Sequence, residues 1–272
     1  MSEPEHNPED PYTPAEVVPP AAPREKPMSF WEHLEELRGT LIKSTVTFVL
    51  FAVLIGVFLK QFNHVLLWPL HTAVAHYPGL QIKLVTISML EVFTMIIQMC
   101  VLGAFTLSAP FILFFIAQFV SPALTEKELK VVLPLCISAL LLFLLGASFS
   151  FFLLMPSTIR IAIELNQTFD LEFMWTVGKY YGTLMWLVLG VGGTFEFPLI
   201  VVLLVWLGIL STATLRKYRR HAIVVIFVLA AIVTPTPDPI NQTLFAVPLY
   251  LLFEIAVLVS SQIEKKRAKN AA

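Results

Sequence analysis

The chain is 272 residues long, 57% hydrophobic and only 14% charged, with a mean hydropathy of +0.79. Soluble domains carry nearer a quarter charged residues, so a soluble globular class is excluded. Several apolar stretches approach or exceed the roughly 20 residues that cross hydrocarbon, and they do not alternate, which excludes a β-barrel and leaves an all-α polytopic membrane protein. The net charge of −1 says nothing about nucleic acid; the placement of the charges says more.

Residues 1–27 are acidic and proline-rich with almost no apolar run, a composition that gives them no core to pack; they read as a disordered tail without a cleavable signal peptide. In "MSFWEHLEELRGTL", Trp31, Leu34, Leu37 and Leu41 recur at three- and four-residue intervals, which predicts an amphipathic interfacial helix with Ser29 as its N-cap. Six spans follow, at about 41–59, 90–116, 131–156, 178–206, 221–234 and 243–260. Residues 60–89 are expected as a polar loop with a turn at Tyr77-Pro78-Gly79. Thr125 and Glu128 form a capping-box pattern for a helix starting near Glu126, and Pro156 is expected to end span three. Residues 157–177 then form an acidic loop with Glu164, Asp170 and Glu172.

Span four reaches up to 29 residues and must tilt, bend or protrude. Span five offers about 14 positions, roughly 21 Å of helix, and span six about 18, interrupted by Pro248. Both are short for a bilayer, which implies local thinning, snorkelling or shelter by other helices. Fourteen of the eighteen basic residues fall on the side that holds both termini and the 117–130 and 207–220 loops; Lys60, Lys83, Arg160 and Lys179 fall on the other. The positive-inside rule therefore puts both termini in the cytoplasm.

Glu196 in "VGGTFEFPLIVVLLVW" is the sharpest single feature, because a carboxylate at bilayer depth is costly. Gly192 lies one turn away on the same face and permits close approach, and Pro198 is expected to disturb the preceding turn. A neutral structural Glu196 bonded to a neighbouring helix and a recognition or cavity role are both open. Glu91, at the start of span two, suits helix capping, whereas Glu254 could be buried or could reach the cytoplasmic surface. Glu35, Glu36 and Arg38 in the first segment, with Glu126 and Glu128 in the next cytoplasmic loop, read either as solvated faces or jointly as an acidic site for an arginine-bearing peptide. "PTPDP" reads as a rigid turn that holds Asp238. Cys100 and Cys136 read as small buried hydrophobes, the six histidines are scattered, and no catalytic or metal motif is present.

Four ordered stretches, "HLEELRGTL", "FVSPALTEKELK", "GGTFEFPL" and "TPTPDPINQTLFAVPLYLLFE", make residues 28–260 resemble TatC, the multispanning subunit of the twin-arginine protein translocase. The resemblance implies a concave, glove-like arrangement of six helices with the last two short, between a 1–27 tail and a basic 261–272 tail. It implies a non-enzymatic, cofactor-free role in exporting folded proteins, driven by the proton-motive force. By this resemblance the signal-peptide site falls on Glu36, Arg38 and Glu128, the intramembrane polar or partner site on Glu196, and the periplasmic structural or partner positions on Asp238 and Pro69. The implied partners are twin-arginine signal peptides, single-span TatA and TatB subunits, other TatC copies and lipid, with no nucleic acid, in a bacterial inner membrane. "LTEKELK" departs from the family's usual loop by the acidic neighbour Glu126 and by a Lys only at 130. The rival classes are an ion-coupled transporter, which the lack of matching halves disfavours, and a membrane scaffold.

Overall fold

The computed structural model describes residues 30–80, 82–120, 126–236 and 238–271; of residues 30, 126–131, 267, 268, 270 and 271 it describes the backbone alone. Helices are the regular structure of the described residues, joined by turns and short irregular segments, with one isolated β-bridge between Val85 and Thr176. The first span is α1 (Phe30–Val57). Short helices α2 (Leu59–Leu66) and α3 (Trp68–Val74) follow, and then α4 (Met89–Val120). α5 (Glu126–Phe149), a π-helical turn (Ser150–Leu154) and α6 (Met155–Thr168) make one continuous third span. α7 (Val177–Thr194) and α8 (Phe197–Trp206) make the fourth. The short α9 (Thr212–Lys217), α10 (Arg219–Val233) and α11 (Pro239–Ala271) complete the chain. Five spans are long and apolar enough to cross a bilayer; α10, with 15 residues, is the shortest.

Four local expectations change. The amphipathic segment is not a separate interfacial helix but the first turns of α1, with Trp31, Leu34, Leu37 and Leu41 all exposed. Residues 60–89 hold two helices as well as the loop, because Leu66, Leu70 and Ala73 bury against the core. Pro156 does not end span three. Its missing N–H and its ring clash fall where the backbone has already widened into the π turn, so the helix continues to Thr168 and occupies most of the expected acidic loop. Finally, α11 carries the sixth span past its apolar part into the basic tail.

Other expectations hold. Leu80 N–H bonds Tyr77 C=O at 3.1 Å with Gly79 at φ +87°, a turn in which Pro78 pre-sets one φ and Gly79 supplies the positive one. Span four breaks at Phe195-Glu196, with Pro198 in the first turn of α8, where its missing N–H costs nothing. The helix α5 begins at Glu126, and the Thr125 and Ser29 caps lie outside the described residues.

The core centres on α7. Tyr180, Leu184, Leu187, Val191 and Phe195 are buried between Met99 and Leu102 of α4, Ile159 and Ile163 of α6, and Phe245 and Leu249 of α11. α1 packs against α4, and α8 and α10 against α11. The opposite faces of these helices leave Leu, Ile, Val and Phe exposed in quantity, as expected where lipid rather than water is the solvent.

Candidate functional site

At the end of the bundle where α1 begins and α11 ends, the His33 ring of α1 stacks on Phe119 near the end of α4, with centroids 4.5 Å apart. Glu36 follows one turn later on α1 and is half-buried. Its Oε2 is shielded from solvent and has no hydrogen-bond partner among the described residues. A shielded carboxylate oxygen without a donor is uncommon, since burial removes water without replacing it. Glu35 and Arg38 are exposed beside it. Glu128 sits in the first turn of α5, and its side chain lies outside the described residues. The chain allows at most about 21 Å between Val120 and Glu126, so the first turn of α5 stays near the α4 end on which His33 stacks. The fold thus brings the two glutamate-bearing segments to the same end of the bundle.

Glu196 occupies the break between α7 and α8. Its carbonyl accepts from Leu199 and Ile200 N–H at 3.0 and 3.1 Å, and its half-buried carboxyl faces the Phe143 backbone of α5. The two helices approach closely because both present glycine. A Cβ on Gly146 would lie 3.0 Å from Gly192 Cα, and one on Gly192 would lie 2.9 Å from the Phe143 ring. Gly193 faces open space. Glu196 therefore sits at the edge of a tight crossing, with one side against α5 and the other free.

At the opposite end Asp238, Glu164 and Glu91 are engaged, whereas Asp170 and Glu172 are exposed. Asp238 N-caps α11: Oδ1 accepts from Asn241 N–H at 2.6 Å, and Oδ2 accepts from Asn241 Nδ2 at 3.1 Å and from the Thr236 hydroxyl. Asn241 Nδ2 also donates to Thr158 Oγ1 at 3.1 Å, which ties the proline-rich turn to α6. Pro69 is buried in the first turn of α3. Tyr77 O–H donates to Glu164 at 3.1 Å; desolvation first and the Glu164 carboxylate second push this phenol above its ordinary pKa.

Glu91 does more than its sequence suggested. In the first turn of α4, Glu91 Oε2 accepts from Ile87 N–H at 2.9 Å, just ahead of the helix, as the expected capping role requires. Oε1 accepts from Gly178 N–H, also at 2.9 Å, in the first turn of α7. One carboxylate thus serves two helix N-termini, where dipoles favour negative charge. A Cβ at 178 would come within 2.9 Å of Glu91 Cγ, so glycine makes room for the contact. Glu254 pairs with Arg219 at 2.9 Å and accepts from Tyr250 O–H. Sequence reasoning missed Glu264, which accepts from the backbone and hydroxyl of Thr212; nothing local links residues 52 positions apart.

Known proteins of one kind resemble this chain in sequence and in structure. The family model for Sec-independent protein translocase protein (TatC) matches residues 32–248. The Sec-independent protein translocase protein TatC of Carboxydothermus hydrogenoformans is 33% identical over 242 residues, 89% of this chain and 96% of the relative. Its counterpart in Koribacter versatilis is 34% identical over 90% of this chain and 89% of the relative. A crystal structure of the twin-arginine translocase receptor TatC superposes with a TM-score of 0.70 at 31% identity, covering 86% of this chain and all of that one. The glove-like six-helix arrangement is consistent with that structure.

Proposed function

We propose, from the premise that this chain belongs to the TatC family of Sec-independent protein translocase proteins, that it reads the arginine pair of export signals with Glu36 and Glu128. The observation that carries this reading is the shielded Oε2 of Glu36, without a donor among the described residues, at the end of the bundle where α5 begins. A guanidinium supplies planar, paired N–H donors to such a carboxylate, and it stays charged while partly desolvated; an ammonium supplies neither advantage to the same degree. Arg38, exposed one turn from Leu34 and beside Glu35, flanks the site and orients the approaching signal.

In this reading the signal's apolar stretch enters the membrane along the concave face, and folded cargo follows at the expense of the proton-motive force. Glu196 offers a polar contact to the membrane helix of a TatA- or TatB-type partner, and further TatC copies share the complex. Asp238 and Pro69 hold the periplasmic cap. Residues 28–260 form the membrane domain, between an acidic 1–27 tail and a basic 261–272 tail. The bias of basic residues supports an inner-membrane protein with both termini cytoplasmic.

Purified protein in nanodiscs, titrated with a labelled signal peptide, tests the assignment. An Arg-Arg peptide is expected to bind at least about tenfold more tightly than its Lys-Lys version, since tenfold is only about 1.4 kcal/mol. Glu36→Lys and Glu128→Lys are each expected to lose that preference while unfolding at the wild-type temperature. Equal binding of both peptides, or undiminished preference in both variants, would sink the assignment.

A further inference from the structure

The segment that joins spans four and five is built differently from an ordinary loop. Thr212 N–H donates to Glu264 Oε1 at 3.0 Å, Arg216 Nη2 to Ser261 Oγ at 3.2 Å, and Arg219 Nη2 reaches Glu254 Oε2 at 2.9 Å. Glu254, Ser261 and Glu264 recur at helical spacing, so they form one stripe on α11, and the 212–219 segment runs antiparallel along it. Both carboxylates in this zipper are occupied: Glu264 by Thr212, and Glu254 by Arg219 and Tyr250. The cations are not used up. Lys217 and Arg220 are exposed and form no ion pair among the described residues, and Lys265 and Lys266 are exposed next to the stripe. Tyr218 lies between Lys217 and Arg220, half-exposed, with Lys217 Nζ 5.8 Å from its ring centroid and the His221 ring at 5.2 Å.

Depth gives this cluster its meaning. α10 has 15 residues, about 22 Å of helix, against about 30 Å of hydrocarbon. Its far end is fixed: Thr234 is buried, and the turn beyond it is tied to α6 through Asp238, Asn241 and Thr158. The zipper fixes the near end, because Arg219 cannot rise toward the headgroups without leaving Glu254. The shortfall of about 8 Å must therefore be met by long side chains reaching outward and headgroups moving inward. Lys217 and Arg220, which flank the first turn of α10, are exposed and placed to do this, and Tyr218 between them is the amphipathic ring that suits the glycerol level.

We propose that Lys217, Tyr218 and Arg220 form a binding site for the phosphate headgroup of an anionic phospholipid, drawn inward at the foot of the short helix α10. The phosphate accepts from Lys217 and Arg220, and the Tyr218 ring packs on the glycerol and first methylenes. A zwitterionic lipid offers the same phosphate with a compensating ammonium, which faces this surplus of cations unfavourably. The site does not depend on how the export signal is read, so either assignment can fail alone.

Photocrosslinking from the site itself reads the answer. Tyr218 is replaced by p-benzoylphenylalanine in the full chain, in nanodiscs of equal phosphatidylglycerol and phosphatidylcholine, and mass spectrometry identifies the adduct. Phosphatidylglycerol adducts are expected to exceed phosphatidylcholine adducts by about fivefold or more, the factor that about 1 kcal/mol per membrane-facing cation gives. In K217Q/R220Q the ratio is expected to fall to the bilayer composition, with the thermal transition unchanged because neither residue belongs to the zipper. Should the double variant not fold, K217Q and R220Q singly are each expected to lower the ratio. A composition-matched ratio in the unsubstituted background would overturn the site. An undiminished ratio in the variants, or adducts mainly to a second copy of the chain, would overturn it equally.

Discussion

Glu36 and Glu91 stand at opposite ends of the packed pair α1 and α4, and the fold treats them in opposite ways. Glu91 is closed: its two oxygens accept from two helix N-termini, and glycine at 178 lets the second helix come within reach. Glu36 is open: one oxygen is shielded and meets no donor among the described residues. Asp238 joins the first kind, with three donors of its own. Glu196 belongs nearer the second, resting on a crossing fixed by glycine rather than by its own bonds. Carboxylates whose oxygens are filled by backbone N–H groups hold helices in place. Those left with spare acceptors are available to a guest.

Substitutions can break that division. The largest effect is expected for Glu91→Ala, which strands the Ile87 N–H just ahead of α4 and the Gly178 N–H of α7 together. Its thermal midpoint should fall furthest among these variants, and Glu91→Gln should keep part of the loss back by retaining one acceptor. A wild-type midpoint for Glu91→Ala would erase the distinction from Glu36. Gly146→Ala, which places a methyl 3.0 Å from the Gly192 backbone, is expected to cost roughly 1–3 kcal/mol by overpacking. Unfolding in mixed micelles measures it, and an unchanged midpoint would mean that α5 and α7 can separate freely. Asp238→Ala removes an N-cap and is expected to cost about 1 kcal/mol, read as reduced hydrogen-exchange protection in the first turn of α11. Smallest is Glu196→Gln, expected to change stability by less than about 0.5 kcal/mol while lowering crosslinking to a single-span partner. A large loss of stability there would move Glu196 into the closed class.

Much of the site was readable because its signals are local. Glu91 stands at the start of span two, where a helix N-terminus favours a carboxylate, and Pro198 follows Glu196 closely enough to place the break in span four. What could not be read depends on distance along the chain. Gly178 is 87 residues from Glu91, and Thr212 is 52 from Glu264, so no periodicity or spacing relates them. Pro156 misled for another reason: a proline stops a regular α-helix, and the π turn that accommodates it is set by packing on α7 rather than by local preference.

Hydrophobic run length by itself determined that this chain is an all-helical membrane protein with six spans, because the thickness of hydrocarbon sets the length of helix that must satisfy its own backbone. The bias of basic residues and the carboxylates out of place in apolar runs were likewise fixed by sequence. Tertiary structure decided the long-range part of which carboxylates are spent: the second oxygen of Glu91 and both oxygens of Glu264 are filled by residues far along the chain. Ile87 reaches Glu91 locally, but the Gly178 N–H that fills its second oxygen is brought by another helix, and Glu36 Oε2 meets no such donor among the described residues.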